Sequence, residues 1–379
     1  MSVNKLFSEL SVERKRKNIP KNIVDKALRE VDKIKKIKYP KRNWDFFWGD
    51  NPNKEDPLII DLPHIELKEL KPYKKNFVDN VVFYDEKKVK KENLKYVDKS
   101  CVITYKGEIL IVYITAEYDK AITKATERLE QLGVGMEKYY PVKDSSFYTP
   151  FQLVNSKQDI AKSLVYNREQ KSKPRYYGKN WMDGQIKYFK GGTGDVTGTI
   201  ISYQPRKPEA YDDEEFLYNL VFSYCSLYEL EKRYAPAVAK WRLELAQDAH
   251  KVPAIPGVPL DRHPATGCGA SLNFASAIHN DSGMNGLTET IFWNTPSKGN
   301  KQYFVSPQIG CVFDLTKHNA VILQPPKIPH GTLNSGNHQA YGYVNITKQN
   351  LVAKTDLKRE WYEKWKTYLN SQKSKKDLK

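Results

Sequence analysis

The chain has 379 residues, 40% of them hydrophobic and 28% charged, with 25 Tyr, 14 Phe and 7 Trp. That is a globular composition whose aromatic content excludes wholesale disorder, and a mean hydropathy of −0.68, with no apolar run near the ~20 residues of a membrane helix, excludes a transmembrane protein. A formal net charge of +17 predicts attraction to polyanions, although a lysine-rich composition gives the same charge without such a partner.

The N-terminus has no apolar core and no small-residue cleavage site before Glu13-Arg-Lys-Arg-Lys17, so no secretory signal is read. Cys101, Cys225, Cys268 and Cys311 lie far apart with no CxxC, which argues for reduced thiols and a nuclear or cytoplasmic, not secreted, protein. The first stretch, 1–57, reads as a basic helical segment. Ser100 to Ile114 reads as strand, turn at Lys106-Gly107, strand, because β-branched and aromatic residues bracket a glycine. Asp119 to Gly133 reads as a helix with an acidic cap at one end and glycine at the other. Asp212 to Tyr234 reads as a longer helix, with Leu217, Leu220, Val221, Tyr224, Leu227 and Tyr228 at helical spacing. Pro236 breaks or restarts it. Pro253, Pro256, Pro259 and Pro264 mark a stiff loop. Short strands follow at 270–278, 287–293, 302–305, 310–314, 320–323 and 340–346, a spacing that suggests a sandwich or barrel. Asp356 to Leu369 reads as an amphipathic helix, and the last residues as a polar tail.

Between Lys171 and Gly192, the cations Lys171, Lys173, Arg175, Lys179, Lys187 and Lys190 interleave with Tyr176, Tyr177, Trp181, Tyr188 and Phe189. Cations for phosphates and rings for bases are the ingredients of nucleic-acid contact. A solvated loop whose aromatics tuck into the core is the plainer alternative. The Gly191-Gly-Thr-Gly194 end lacks the strand-to-helix context of a phosphate cradle.

The run Ile278-His-Asn-Asp-Ser-Gly-Met-Asn-Gly286, with Ile328-Pro-His-Gly331 downstream, carries the chemistry. His279 and Asp281 stand two apart at a strand end, a spacing that puts both on one face. His330 falls at the end of a further strand. Two histidines and one carboxylate on one side of a metal form the facial triad of non-haem Fe(II) oxygenases, which leaves positions open for O₂ and a co-substrate. The plainer reading is a histidine capping a strand and an ordinary loop histidine.

The run Ser271 to Gly286 resembles the core of the TET/JBP group of dioxygenases, which oxidise the methyl group of 5-methylcytosine or thymine in DNA. Asn273, Asn285 and Gly286 match the family's Asn before the H-x-D and its Asn and Gly after it. The similarity continues through Pro329-His-Gly331 to Ala340-Tyr-Gly-Tyr-Val344, covering about a fifth of the chain. The resemblance implies that His279, Asp281 and His330 hold Fe(II), that the co-substrate is 2-oxoglutarate, and that Asn273 helps to bind it. One position departs from the pattern. Ala340 falls where the family has an Arg that pairs with the distal carboxylate of 2-oxoglutarate. His338, Lys348 or a residue from elsewhere must then take that role, or the co-substrate is ascorbate, as in an algal branch of the family. The base would flip out of the stack to reach the metal, with Asn285 contacting it and Arg175, Tyr177, Lys179 and Trp181 serving the rest of the nucleic acid.

These readings combine into an α+β protein: a basic N-terminal segment (1–57), an α/β region packing on the core (58–194), a double-stranded β-helix (jelly-roll) core flanked by helices (195–350), and a C-terminal helix and tail (351–379). The expected activity is Fe(II)-dependent oxidation or modification of a pyrimidine 5-methyl group in DNA. The rivals are an oxygenase of the same fold acting on protein or a small molecule, and a non-catalytic DNA-binding protein with a relic site. Neither the oligomeric state nor the choice between DNA and RNA is legible.

Overall fold

The computed structural model describes residues 18–38, 47–48, 63–69, 84, 86–106, 108–139, 179–184, 189–190, 196–198, 208–234, 236–247, 255, 257–265, 267–272, 276–279, 289–294, 301–315, 319–323, 328–335 and 341–346. The expected amphipathic helix at 356–369 and the tail lie outside them.

Helix α1, Lys21–Lys36, buries Ile23, Val24, Ala27, Val31 and Ile34 on one face and carries Lys33, Lys35 and Lys36 in its last turn, where cations oppose the negative end of the helix dipole. Two short strands follow, β1 (Phe47–Trp48) and β2 (His64–Glu66). Helix α2 (Glu86–Lys91) leads into β3 (Lys95–Val97). The expected hairpin is present as β4 (Cys101–Tyr105) and β5 (Glu108–Thr115), with Lys106 at φ 53° in its turn. Ile103 pairs with Ile111 but Thr104 pairs with Ile109, so Leu110 is an extra residue in β5. Such a bulge shifts the in-and-out alternation by one. Leu110 and Ile111 accordingly join the same apolar cluster, and Ile109 and Val112 the opposite one.

Two helices follow, α3 (Lys120–Thr126) and α4 (Leu129–Tyr139). Asp119 caps the first, accepting from the Ala121 N–H at 2.8 Å. Gly133 does not end the helix as its sequence suggests; the chain stays helical to Tyr139. Gly135 shows what glycine supplies here, because a Cβ on it would stand 2.4 Å from the Phe216 ring. Beyond them lie β6 (Lys179–Gly184), β7 (Phe189–Lys190) and β8 (Val196–Gly198), the last two paired with each other.

Helix α5, Glu214–Tyr234, starts close to its expected boundary. Asp213 caps it, accepting from the Phe216 N–H at 2.9 Å. Its apolar residues are buried around most of the circumference, so it is the central helix of the layer. Pro236 opens α6 (Pro236–Leu245), the first-turn position where proline's missing N–H does no harm. The remaining strands are β9 (Gly267–Leu272), β10 (Ser276–His279), β11 (Glu289–Asn294), β12 (Lys301–Ser306), β13 (Cys311–Asp314), β14 (Asn319–Leu323), β15 (His330–Ser335) and β16 (Tyr341–Ile346).

Among the described residues, nine strands form one sheet in the order β2-β4-β5-β14-β11-β16-β9-β6, with β1 also on β5. Five form another, β10-β15-β12-β13-β3. One face of the larger sheet, with Val102, Val112 and Ile114, packs beneath α1, α3, α4 and α5. The other face, with Ile103, Ile111 and Tyr113, meets Phe304, Cys311 and Phe313 of the smaller sheet. The molecule is therefore layered: helices, large sheet, small sheet.

This corrects the expected double-stranded β-helix. Among the described residues both main sheets are open and mixed, and neither closes or curls into a barrel. Strands from before residue 195 extend each one: β5 pairs with β14, and β3 with β13. The pairings of β1, β2 and β3 are parallel, whereas a jelly roll is antiparallel throughout. Alternating residues and regular turns specify strands, but closure depends on which edges find distant partners, and that is not written in local spacing.

Two buried arginines tie the helices together. Arg233 Nε bonds Asp119 Oδ2 at 2.5 Å, while its Nη atoms reach the carbonyls of Ile37 at 3.0 Å and Lys38 at 2.8 Å. The Tyr234 hydroxyl donates to the same carboxylate. Arg242 holds Glu231 with Nε at 3.1 Å from both oxygens and Nη2 at 2.7 Å from Oε1.

Candidate metal centre

Strands β10 and β15 run antiparallel, with Ser276 opposite Thr332 and His279 opposite His330. His279 closes β10 and His330 opens β15. The second histidine therefore begins a strand instead of ending one. The register shifts by one residue between these two pairs, an irregularity of the bulge kind, and the pairing juxtaposes two histidines far apart in sequence at one end of two neighbouring strands.

The segment around His330 is fixed from several sides. Ile328 precedes a proline, which disfavours helix there, and its side chain is buried in the cluster between the sheets. Ser306 Oγ donates to the Pro329 carbonyl at 3.1 Å. The His330 ring is 4% exposed and stacks on Phe304, with centroids 5.2 Å apart and planes 19° from parallel. His330 Nδ1 lies 2.8 Å from the Ile328 carbonyl oxygen. A carbonyl only accepts, so Nδ1 donates, which in the neutral ring places the lone pair on Nε2. That tautomer, fixed by a backbone acceptor, is the usual arrangement of a metal-ligating histidine.

Asp281, the expected third ligand, lies outside the described residues, and among the described residues no group of three or more His, Cys, Asp or Glu could hold a metal ion. The part of the expected donor set that is described, His330 and a second histidine opposite it in register, is compatible with any divalent metal that takes imidazole, iron among them. Burial, with Cys311 nearby, pushes the Cys101 thiol up to about 12, and burial does the same to Cys225, so both stay protonated at neutral pH.

Of the expected co-substrate residues, Asn273, His338 and Lys348 lie outside the described residues. Of the expected substrate residues, so do Asn285, Arg175 and Tyr177. Lys179 and Trp181 stand in β6, at one end of the large sheet among the described residues, where Lys179 is opposite Leu272 and Trp181 opposite Ala270. Leu272 ends β9, and the chain passes through 273–275 into β10. The basic aromatic segment is thus stitched to the strand that leads to His279.

Sequence reasoning missed β6. Lys-Asn-Trp-Met-Asp-Gly has no β-branched residue and reads as loop by propensity; the ladder to β9 makes it a strand. It also missed the support of His330 by Phe304 and Ser306. The available signal was Ile328-Pro-His330, in which an extended residue before proline can turn its carbonyl toward a ring two positions on.

No protein-family model matches the chain, and no curated protein matches it. Among solved structures the chain is weakly similar to NgTET1 in complex with 5mC DNA, at 10% identity and a TM-score of 0.44, over 87% of this chain and 90% of that one. It is also similar to a Pseudomonas putida prolyl-4-hydroxylase, at 12% identity and a TM-score of 0.23, over 58% of this chain and 98% of that one. Scores this low carry no assignment of fold or activity. Among the described residues, no helix is long and apolar enough to cross a membrane.

Proposed function

We propose that the protein is a non-haem Fe(II)-dependent dioxygenase that oxidises or modifies the 5-methyl group of a pyrimidine in DNA. The observation that supports a metal centre is the register of His279 opposite His330, with His330 Nδ1 bonded to the Ile328 carbonyl. In this reading His279, Asp281 and His330 are the ligands. Iron held there would supply activation of O₂ for attack on an unreactive methyl C–H bond.

The chain's own residues do the rest. Phe304 and the Ile328 carbonyl hold the His330 ring so that Nε2 points to one position. Asn273, with His338 or Lys348, binds the carboxylates of 2-oxoglutarate, or ascorbate takes that place because Ala340 stands where an Arg is expected. Asn285 contacts the flipped base. Arg175 and Lys179 meet phosphates, and Tyr177 and Trp181 offer rings for stacking. The +17 charge and the junction of β6 with the strand leading to His279 support a nucleic-acid substrate.

The test is incubation of the Fe(II)-loaded protein with 5-methylcytosine DNA and with thymine-only DNA, each with 2-oxoglutarate or with ascorbate, and nucleosides read by mass spectrometry. A gain of one oxygen with 2-oxoglutarate, absent in His279→Ala, is expected for a hydroxylase that has replaced the missing Arg. A larger adduct with ascorbate alone marks a changed co-substrate. No new nucleoside under any condition overturns the DNA-modification reading and favours an oxygenase of protein or small molecules.

A further inference from the structure

On the helical side of the large sheet, two adjoining hollows of about 550 and 540 Å³ share Lys26, Arg128 and Tyr218 in their walls. Lys26 Nζ lies 5.2 Å from the centre of the Tyr218 ring, and the Arg128 guanidinium 5.4 Å from it. Neither cation makes a hydrogen bond or ion pair within the described residues, and Arg128 Nε is enclosed without an acceptor. Lys124, in the same wall, is different: it holds Glu127 at 2.6 Å and Glu30 at 3.4 Å. Glu30 is further held by Lys33 at 2.6 Å. The carboxylates at this end of the groove are therefore occupied, whereas Glu214 and Glu215 line the other end.

An enclosed guanidinium nitrogen without an acceptor is unfavourable. An oxyanion at the Lys26–Arg128 end would supply acceptors to the planar fork and a counter-charge to both cations. The Tyr218 phenol stays protonated, because burial raises it above its ordinary value. It is therefore a donor beside the same position.

We propose that the groove between α1, the α3–α4 junction and α5 binds a phosphate group, with Arg128 and Lys26 as its ligands and Tyr218 as the platform beneath them. The large sheet separates this groove from His330, so the site is distinct from the metal centre. The phosphate belongs either to a small phosphorylated ligand or to a nucleic-acid backbone, and two probes distinguish these sources.

The full chain is titrated with inorganic pyrophosphate and with a short DNA duplex, using wild type, Arg128→Gln, Lys26→Gln and, as a control for lost charge alone, Lys21→Gln. Thermal unfolding checks that each variant is folded. Saturable binding that weakens about tenfold or more in Arg128→Gln and Lys26→Gln, but not in Lys21→Gln, is expected. If only the duplex shows this loss, the source is a backbone, and the salt dependence of binding falls with it. If pyrophosphate shows it, the source is a small ligand. Failure of the wild type to bind either probe saturably, or equal weakening in all three variants, overturns the proposal. Neither result bears on metal binding, so this proposal and the oxygenase reading fail separately.

Discussion

Arg233 and Arg128 lie in the same helical layer, yet their guanidinium groups are used in opposite ways. Arg233 is 3% exposed and enclosed by acceptors: the Asp119 carboxylate and the carbonyls of Ile37 and Lys38. Those bonds join the end of α1, the cap of α3 and the last turn of α5 at one point. Arg128 rests against the Tyr218 ring with its Nε enclosed and no acceptor supplied by the described residues. The contrast teaches that position, not residue type, separates a charge that builds the architecture from one that is available to a ligand. Lys124 is intermediate, over the Phe222 ring yet also paired with two carboxylates.

Substitution separates the two most sharply. Arg233→Met leaves Asp119 buried and uncompensated and is expected to destabilise the fold by about 3–5 kcal/mol in urea unfolding. Arg128→Gln breaks no bond to a described residue and removes the enclosed Nε, so it is expected to leave stability unchanged or slightly raised. Equal losses would erase the distinction. The packing of the same layer is probed next by Gly135→Ala, whose added methyl meets the Phe216 ring. Overpacking of this kind costs about 1–3 kcal/mol, and a neutral result would mean that α4 and α5 can separate freely.

The smallest expected effect concerns the cap of α5. Burial alone would raise the Asp213 carboxyl, but hydrogen bonds from Tyr139, the Phe216 N–H and Lys138 outweigh it and hold the group down at about 2. A depressed carboxylate contributes stability above its unfolded value near ~3.9 and loses it as pH falls through its folded value. Asp213→Asn keeps a capping side chain but removes the charge that Lys138 and the hydrogen bonds favour, and with solvent screening at this partly exposed site it should cost about 1 kcal/mol at neutral pH. The gap to wild type should close as pH drops from about 4 toward 2. A gap unchanged across that window would place the stabilisation outside this carboxylate.

What the sequence made legible follows from the range of the interaction. The hairpin around Lys106, the Asp119 cap and the long helix ending at Tyr234 depend on neighbours a few residues away, and all are found. Sheet architecture depends on partners more than a hundred residues apart, such as Tyr113 opposite Val321, and the expected closed roll is replaced by open mixed sheets. Gly133 reads as a helix end because isolated glycine disfavours helix, but tertiary contact carries the helix past it. At the candidate site, H-x-D and Pro-His marked the residues, whereas the opposition of His279 to His330 and the bond from His330 to Ile328 depend on register and packing, which no local motif encodes.

The central claim is that this opposition holds a metal. Anaerobic titration of Fe(II) into the full chain, followed calorimetrically for wild type, His279→Ala and His330→Ala, tests it directly. The account predicts one Fe(II) bound per wild-type chain and loss of that binding in both variants, with each still folded. Undiminished Fe(II) binding in His330→Ala, or no stoichiometric binding by the wild type, would contradict it.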